Sequence, residues 1–267
     1  FESSSTQPVR MWNSNHPDYQ EGKSYTVAKF IPDIQGEQVM LEGAEKTALT
    51  ENVTKAEMDS WVLLSRKRAA QAAKEGILSD IQLSIADSKK DEGIRPSMSQ
   101  RLLDRLPCLL PGGSIITAAN ACLMHDGAAF VVLCSEAYRK KHGLTPQAAF
   151  RFGTAIGSDP FMSPKTAVLA IRKLLKQTAL SIDEIHSLEV NEAFAVIDVL
   201  LEREFPGIRE RLNPLGGALA YGHPYGASGA IILLHLLKDL ELNQGRFGIC
   251  GVAAAGGIGT TLLVEKV

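Results

Sequence analysis

The stretch of residues 213–229, NPLGGALAYGHPYGASG, constrains the fold more than any other part of the chain. Seven of its seventeen residues are glycine or proline, and His223 stands in the middle. Glycine permits sharp turns and close backbone approach, while proline fixes φ, so such a loop has a defined shape. A histidine held in this way is a candidate acid, base or oxyanion donor. The alternative is a glycine-rich loop before a buried helix, in which the histidine is incidental.

The overall composition is that of an ordinary globular protein, and 267 residues suffice for one large domain or two smaller ones. Hydrophobic residues make up 45%, charged residues 22%, and the net charge is -2. This charge does not suit a general nucleic-acid surface, and no apolar run of about 18 residues predicts a membrane span. The four cysteines show neither CxxC spacing nor the density of a disulfide scaffold. We therefore expect a reducing, cytoplasmic compartment.

Strand and helix signals alternate along residues 112–267. GGSIITAANA, GAAFVVLCS and QAAFRFGTAIG are β-rich runs, and SEAYRKKHG is predicted to be a helix that Gly143 ends. Ser163 is expected to cap a further helix, and HSLEV is a strand that leads into a helix beginning at Asn191. GRFGICGVAAAGG and IGTTLLVEKV are predicted to be two closing strands. The alternation indicates an α/β domain, with residues 1–111 as a separate or inserted unit.

Residues 1–111 contain one clear helix signal. Thr54 and Glu57 form a capping box, an apolar stripe begins near Trp61, and Gly76 ends the helix. ILSDIQLSI, which follows, is predicted to be a strand. Residues 1–50 mix aromatic residues, glycine, proline and charges without a sustained period, which predicts irregular structure with short strands.

Two strand-to-helix junctions carry polar residues, Asn191 at one and His223 at the other. In an α/β layer such junctions gather at the carboxyl ends of the strands, where ligands usually bind. The structural alternative for Asn191 is a helix N-cap, and Glu192 could merely complement a helix dipole. The two junctions together nevertheless predict one site.

Other chemistries find little support in the sequence. The terminal GGIGTT matches neither a GxxxxGK[ST] loop nor a GxGxxG fingerprint, so nucleotide binding is not expected. His223 and His235 are twelve residues apart with no third ligand in view, so no metal site is predicted. Ser228 lacks the GxSxG context of a hydrolase nucleophile and is expected to open a helix.

Taken together, these motifs resemble the thiolase family. NEAFA, from Asn191, and GHPYGASG, around His223, resemble the carboxyl half of a thiolase. GSIITAANACLMHDGAAFVVL resembles the family segment GTVTAGNASGxNDGAAA, while DEGIRP and ESSS resemble thiolase DEGIRP and ESMS. The helical run from LTENVTKAEMDSW onward resembles the loop domain of the family. The resemblance covers nearly the whole chain.

The resemblance implies a five-layered α/β/α/β/α fold built from two similar halves. This chain would supply the second half, residues 112–267, and an α+β loop domain, residues 1–111. It would be an acyltransferase of fatty acid metabolism that acts on acyl-CoA, by thiolytic cleavage of 3-ketoacyl-CoA or by the reverse Claisen condensation. Coenzyme A thioesters would be substrates, and no cofactor or metal is implied. The family also implies a homo-oligomer.

Site residues follow from the resemblance, position by position. His223 would donate a hydrogen bond to the thioester oxygen and help to activate the nucleophile. Asn191 would hold the water that completes the oxyanion hole, where fixed donors in a dry pocket stabilise developing charge. The acyl or pantetheine channel would be lined by Ala118, Cys122, Met124, Ala193 and Phe194.

Two departures from the family pattern concern its catalytic cysteines. The nucleophilic cysteine belongs to an amino-terminal half that is expected to lie elsewhere, in the same polypeptide or in a separate chain. Ala253 stands at the position of the second, acid/base cysteine, and Cys250 should point to the opposite face of its strand. The alternative function is therefore an impaired or non-catalytic acyl-CoA-binding subunit. Without the amino-terminal half, the apolar helix 230–240 should leave an exposed apolar patch.

Overall fold

The computed structural model describes residues 1–3, 10–11, 15, 24–25, 39–85, 91–95 and 98–267. The helices are α1 (Val39–Thr50), α2 (Lys55–Glu75), α3 (Gln100–Leu103), α4 (Glu136–His142), α5 (Thr166–Thr178), α6 (Val196–Glu204), α7 (Ala218–Tyr221) and α8 (Ser228–Leu242). The strands are β1 (Arg10–Met11), β2 (Ser24–Tyr25), β3 (Ala148–Gly157), β4 (Ile185–Val190), β5 (Phe247–Ala254) and β6 (Ile258–Lys266). Across these ranges, no helix has the length and apolar character that a membrane span requires.

A four-stranded sheet with helices on both faces forms the centre of the molecule. Its order is β3-β6-β5-β4, in which β4 and β5 are parallel and the other pairs antiparallel. Helix α5 packs against β3, β5 and β6, and helix α8 packs against β4 and β5. The prediction of an α/β fold is confirmed. The described ranges contain these three layers of the expected five, and the boundary at residues 111 and 112 stays a prediction.

Alternation along β5 separates two hydrophobic clusters. Ile249 and Ala253 belong to the large cluster that also contains residues of α2, α5 and α6. Cys250 belongs to a smaller cluster with Ile232 and Leu236 of α8. Successive side chains of a strand point to opposite faces. Cys250 therefore points away from the face that carries Ala253, as expected from the sequence.

Helix α2 has the ends that its sequence predicts. The Thr54 hydroxyl accepts a hydrogen bond from the Glu57 amide at 3.2 Å, and the Glu57 carboxylate accepts one from the Thr54 amide at 2.8 Å. At the other end, Gly76 adopts the left-handed conformation, with φ 65°. The reciprocal bonds between Thr54 and Glu57 satisfy backbone donors that the first helical turn leaves unpaired.

Helix α1 corrects the prediction that residues 1–50 are irregular apart from short strands. Gly43 lies inside this helix and lowers its intrinsic propensity. The same glycine lets the helix approach the 3-10 segment Pro160–Lys165, because a Cβ at this position would lie 3.3 Å from the Phe161 carbonyl oxygen. Tertiary packing therefore stabilises a helix that the local pattern does not predict.

Two helices begin later than predicted. The helix expected to be capped by Ser163 begins at Thr166, because the preceding residues form the 3-10 segment and Ser163 lies within it. The helix expected to begin at Asn191 starts at Val196. Residues 191–195, the first five of the predicted helix, instead form a loop. The backbone of this loop is hydrogen-bonded to another segment of the chain, described below.

Three predicted strands are absent from the described part of the chain. In the segment ILSDIQLSI, residues 77–81 form turns, in which the amides of Ser79 and Gln82 donate to the carbonyls of Gly76 and Leu78, and Ile85 makes an isolated bridge only. The segment GGSIITAANA makes isolated bridges only. Residues 127–135 alternate as a strand would, with Phe130 82% and Val132 95% exposed, but apart from one antiparallel bridge between Gly127 and Glu2 no described strand lies beside them. A strand needs a neighbour for its backbone bonds, which sequence alternation alone does not supply.

Glycine at position 216 is required by both conformation and space. Gly216 has φ 87°, and a Cβ there would lie 2.7 Å from the Ala69 side chain of α2. We expect Gly216→Ala to reduce the free energy of unfolding by about 2–4 kcal/mol, through backbone strain and overpacking. The midpoint of thermal unfolding should fall by roughly 4–12 °C.

A matched control lies in the same loop. A Cβ at Gly229, near the start of α8, would meet nothing within 4 Å, so Gly229→Ala should melt within about 2 °C of the wild type or slightly above it. Equal melting of both variants would show that the close contact between Gly216 and α2 is not present in solution.

Candidate active site

Asn191 lies directly beyond the carboxyl end of β4 and does not cap a helix. Its amide donates to the Gly251 carbonyl of the neighbouring β5 at 2.9 Å, and the residue is 2% exposed. Because α6 begins only at Val196, the Asn191 side chain is not needed by a helix terminus. The side-chain amide group of Asn191 is therefore available for another partner.

The loop after Asn191 is held by a separate segment of the chain. The Cys122 amide donates to the Ala193 carbonyl at 3.0 Å, and the Ala195 amide donates to the Asn120 carbonyl at 2.9 Å. These bonds replace the helical bonds that the sequence predicted for residues 191–195. They place Ala193 and Phe194, both buried, beside Cys122.

The opposite end of the same segment holds the loop that carries His223. The His223 amide donates to the Leu123 carbonyl at 2.8 Å, and Met124 and His223 form a parallel bridge. Residues 120–125 therefore bond to both polar junctions at once. This bridging segment, residues 120–125, brings together most of the site residues predicted from the sequence.

The imidazole of His223 has a polar neighbour at each nitrogen. Nδ1 lies 2.6 Å from the Ser228 hydroxyl, and Nε2 lies 3.5 Å from Nδ2 of Asn191. Ser228 begins α8, as predicted, but its bond to the histidine was missed. A hydroxyl can donate or accept, so Ser228 can support either tautomer of the ring. The contact between His223 and Asn191 brings the two junctions together, as the sequence predicts.

Burial keeps the His223 ring neutral. Removal from water lowers the pKa of His223 from its ordinary value of 6.5, because the charged form loses hydration. The preceding residue, Gly222, has φ 91°, and the space where its side chain would stand is filled by the His125 ring. Neutral imidazole can both accept and donate a proton, as acid/base catalysis requires.

Glu192 has a role that the sequence did not indicate. Its carboxylate accepts hydrogen bonds from Ser65 Oγ of α2 at 2.7 Å, from Asn213 Nδ2 at 3.1 Å and from the Leu219 amide at 3.1 Å. It therefore joins α2 to the glycine-rich loop, directly behind Asn191. Complementing a helix dipole, the function considered from sequence, is wrong because Glu192 precedes the helix by four residues.

Two of the cysteines are unsuited to act as nucleophiles. Burial raises the pKa of Cys122 to about 12, and it raises the pKa of Cys250 well above the ordinary value. Both thiols therefore stay protonated near neutral pH, and the thiolate is the reactive form. Ala253 is buried on the face of β5 that also carries Gly251, the partner of the Asn191 amide. Ala253 therefore lies two residues along β5 from the residue whose carbonyl accepts the Asn191 backbone amide.

The remaining predicted channel residues lie on the open side of the site. Ala118 is exposed, and Met124 is 65% exposed. Ala118 lies two residues before the bridging segment and Met124 lies within it, while Ala193 and Phe194 are buried on its other side. No cluster of three or more metal-binding side chains occurs among the residues with described positions.

Comparison with known families agrees with this arrangement. Residues 144–266 match the model of the thiolase C-terminal domain, and residues 1–137 match the model of the thiolase N-terminal domain. The second match does not bear out the expectation that the amino-terminal half is missing from this sequence, since sequence of that domain is present.

Curated relatives and solved structures lead to the same family. The 3-oxoadipyl-CoA/3-oxo-5,6-dehydrosuberyl-CoA thiolase of Escherichia coli (strain K12) is 34% identical over 90% of this chain and 63% of its own length. A steroid 3-ketoacyl-CoA thiolase of Mycobacterium tuberculosis is 34% identical over 84% of this chain and 56% of its own length. The acetyl-CoA acetyltransferase structure from Bacillus anthracis superposes with a TM-score of 0.88 at 30% identity, covering 100% of this chain and 70% of that one.

The chain thus spans less than two thirds of the length of these curated relatives. Both relatives are named as thiolases, and these matches do not bear out the alternative of an impaired, non-catalytic subunit. The two family matches, the α/β fold and the paired His223 and Asn191 junctions agree on one conclusion. The chain belongs to the thiolase family.

Proposed function

We propose that the protein is a thiolase-type acyltransferase that cleaves 3-ketoacyl-CoA with coenzyme A, or condenses two acyl-CoA molecules in reverse. The observation that carries this proposal is the 3.5 Å approach of His223 Nε2 and Asn191 Nδ2. Two nitrogen groups on different loops converge on one point, as an oxyanion hole requires. The curated relatives are named as thiolases, which supports the same reaction class.

The proposed chemistry develops charge on a thioester oxygen. In the thiolytic direction, the bond between C2 and C3 of the 3-ketoacyl-CoA breaks, and its electron pair passes through C2 to the C1 oxygen as an enolate. The acyl fragment becomes bonded to the sulfur of the incoming coenzyme A, whose S–H bond breaks, and C2 gains a proton in place of the one that the thiol releases, to give acetyl-CoA. His223 would donate to the C1 oxygen directly and Asn191 through a water.

Ser228 and burial fit His223 for this role. When the Ser228 hydroxyl donates to Nδ1, Nε2 carries the proton and can donate to the substrate oxygen. When Nδ1 instead donates to the hydroxyl, Nε2 is unprotonated and can accept a proton. The lowered pKa of His223 keeps both neutral forms accessible near neutral pH. The exposed Ala118 and Met124 would lie along the entering pantetheine chain, with Cys122, Ala193 and Phe194 around its end.

Removing either donor should slow the chemical step. For His223→Ala we expect a fall in kcat of about 10³-fold, since a proton-transfer group and an oxyanion donor are lost together. For Asn191→Ala we expect a fall of about 10²-fold. The measurement is the thiolytic cleavage of acetoacetyl-CoA by the purified variants. The control is His142→Ala, at the exposed end of α4, which should keep wild-type kcat. Wild-type activity in His223→Ala would exclude the proposed role of His223.

The pH profile should reflect the lowered pKa of His223. Activity needs the neutral ring, which is lost as the pH falls through the folded-state pKa. Because burial depresses that pKa below 6.5, the acid limb of kcat/KM should lie below pH 6.5, with a plateau above it. A kcat/KM profile measured from pH 4.5 to about 8 checks this. An acid limb centred above pH 6.5 would contradict a buried, neutral catalytic histidine.

The position of Ala253 offers a separate test of the site. If this is where the family places its acid/base group, a thiol introduced by Ala253→Cys should accelerate exchange of the C2 proton of acetyl-CoA with solvent deuterium by about 10²-fold. Cys250→Ala changes the opposite face of the same strand and should leave the exchange rate unchanged. No acceleration in a folded Ala253→Cys variant would remove this residue from the site.

A further inference from the structure

Tyr225 has a backbone conformation that its residue type rarely adopts. Its φ is 30°, on the positive side where side chains crowd the backbone. The other positive-φ residues of the stretch 213–229 are Asn213, Gly216 and Gly222, which belong to types that tolerate this region. Strain at a bulky residue persists only where the surrounding structure imposes it, and such residues cluster at functional sites. The tyrosine at position 225 therefore needs a reason beyond the local backbone.

Core packing does not supply that reason. Tyr225 is 45% exposed, so its side chain removes far less apolar surface from water than a core aromatic residue does. Glycine at this position would relieve the backbone strain and give up only that partial burial. The strained tyrosine thus stands where a glycine would serve the fold about as well.

The ring of Tyr225 lies against the imidazole of His223. The two ring centroids are 5.1 Å apart and their planes are inclined by 57°, a separation typical of packed aromatic pairs. The two imidazole nitrogens lie beside Ser228 Oγ and Asn191 Nδ2, so Tyr225 adds an apolar neighbour to these two polar ones. Because the Tyr225 ring is itself half exposed, it covers part of the His223 ring from solvent.

The surroundings of His223 make this cover important. The titratable side chains on the segments around His223 are those of Cys122, His125, Glu192, Tyr225 and, beside Tyr225, Glu2. The pKa of His223 is lowered by burial and not by any of these groups. The protonation of the imidazole therefore depends on how well its neighbours exclude water, and a half-exposed ring in contact with it is the neighbour nearest to the solvent.

We propose that Tyr225 is a positioning residue for His223: its ring covers the imidazole, keeps water from it and limits its movement away from Asn191. This inference rests on the proposed catalytic role of His223. The positive φ at residue 225 is the conformational cost of directing an aromatic ring over the histidine two residues before it.

The kinetic test compares purified wild type, Tyr225→Gly and Tyr225→Phe in the thiolytic cleavage of acetoacetyl-CoA. In Tyr225→Gly, kcat should fall about 10-fold or more, because a small displacement of a catalytic group is costly. KM should change less than about 3-fold, since the ring acts through His223 on the chemical step. Tyr225→Phe keeps the ring and should stay within about 2-fold of wild-type kcat. An unchanged kcat in Tyr225→Gly, or a change confined to KM, overturns the proposal.

A matched control is available in α4. Tyr138 makes the same kind of contact with His142, with ring centroids 4.2 Å apart, on an exposed helix outside the site. Tyr138→Ala should keep wild-type kcat and KM. If Tyr138→Ala loses as much kcat as Tyr225→Gly, the loss does not come from a contact within the site, and the proposal is wrong.

The titration of His223 gives a readout that does not need turnover. Its imidazole resonances can be followed by NMR against pH and assigned by comparison with His223→Ala. In Tyr225→Gly the pKa of His223 should rise toward 6.5, because the charged ring regains hydration, while Tyr225→Phe and Tyr138→Ala should titrate like wild type. Identical titration of Tyr225→Gly and wild type overturns the proposal. Wild type that does not cleave acetoacetyl-CoA refutes the proposed acyltransferase, and the titration still decides whether Tyr225 covers His223.

Thermal unfolding separates positioning from a general loss of stability. Tyr225→Gly and Tyr225→Ala both lack the ring, but only alanine keeps a Cβ at a positive φ. The glycine variant should therefore melt about 2–4 °C above the alanine variant. Both variants should nevertheless lose the same kcat, because the same ring is missing. If kcat instead follows the melting midpoint, the role of Tyr225 is structural and the proposal is wrong.

Discussion

The buried carboxylate of Glu192 is the interaction on which the site depends. Three donors from three separate places, Ser65 of α2, Asn213 and the Leu219 amide, converge on it. Burial raises the pKa of Glu192, while the bonds from Ser65 and Leu219 lower it, so each donor offsets part of the desolvation. Loss of the carboxylate would leave buried donors unpaired, at about 1–3 kcal/mol each. Packing is equally tight, since a Cβ at Gly217 would lie 2.5 Å from this carboxylate.

The sequence was sufficient to predict helix ends that depend on interactions between residues close together in the chain. The capping box at Thr54 and the glycine ends at Gly76 and Gly143 are present as expected, because each involves residues only a few positions apart. The strand at residues 127–135 and the helix start at Asn191 were wrong. In both, long-range backbone pairing decides the outcome, and neither hydrophobic period nor capping preference contains that information.

The site followed the same division. The sequence was sufficient to propose His223 and Asn191 as candidates, because a histidine in a shaped glycine loop and an asparagine after a strand are visible in the sequence and in the family resemblance. The bonds of Ser228 and Glu192 were not, because their partners depend on how the bridging segment and α2 pack. Ser228 stands five residues after His223, and only the turn formed by Tyr225–Ala227 brings its hydroxyl to the ring.

The polar groups around the site are arranged so that negative charge is confined behind it. An unpaired carboxylate one residue from Asn191 would oppose the charge that develops on an enolate oxygen, because Coulomb interactions are strong in a buried environment. The donors to Glu192 disperse its charge, while His223 and Asn191 present nitrogen groups on the other side. In the proposed reaction, the hydrogen bonds that hold the glycine-rich loop against α2 would therefore also weaken the repulsion between Glu192 and a developing enolate oxygen, so that the same network would serve stability and catalysis.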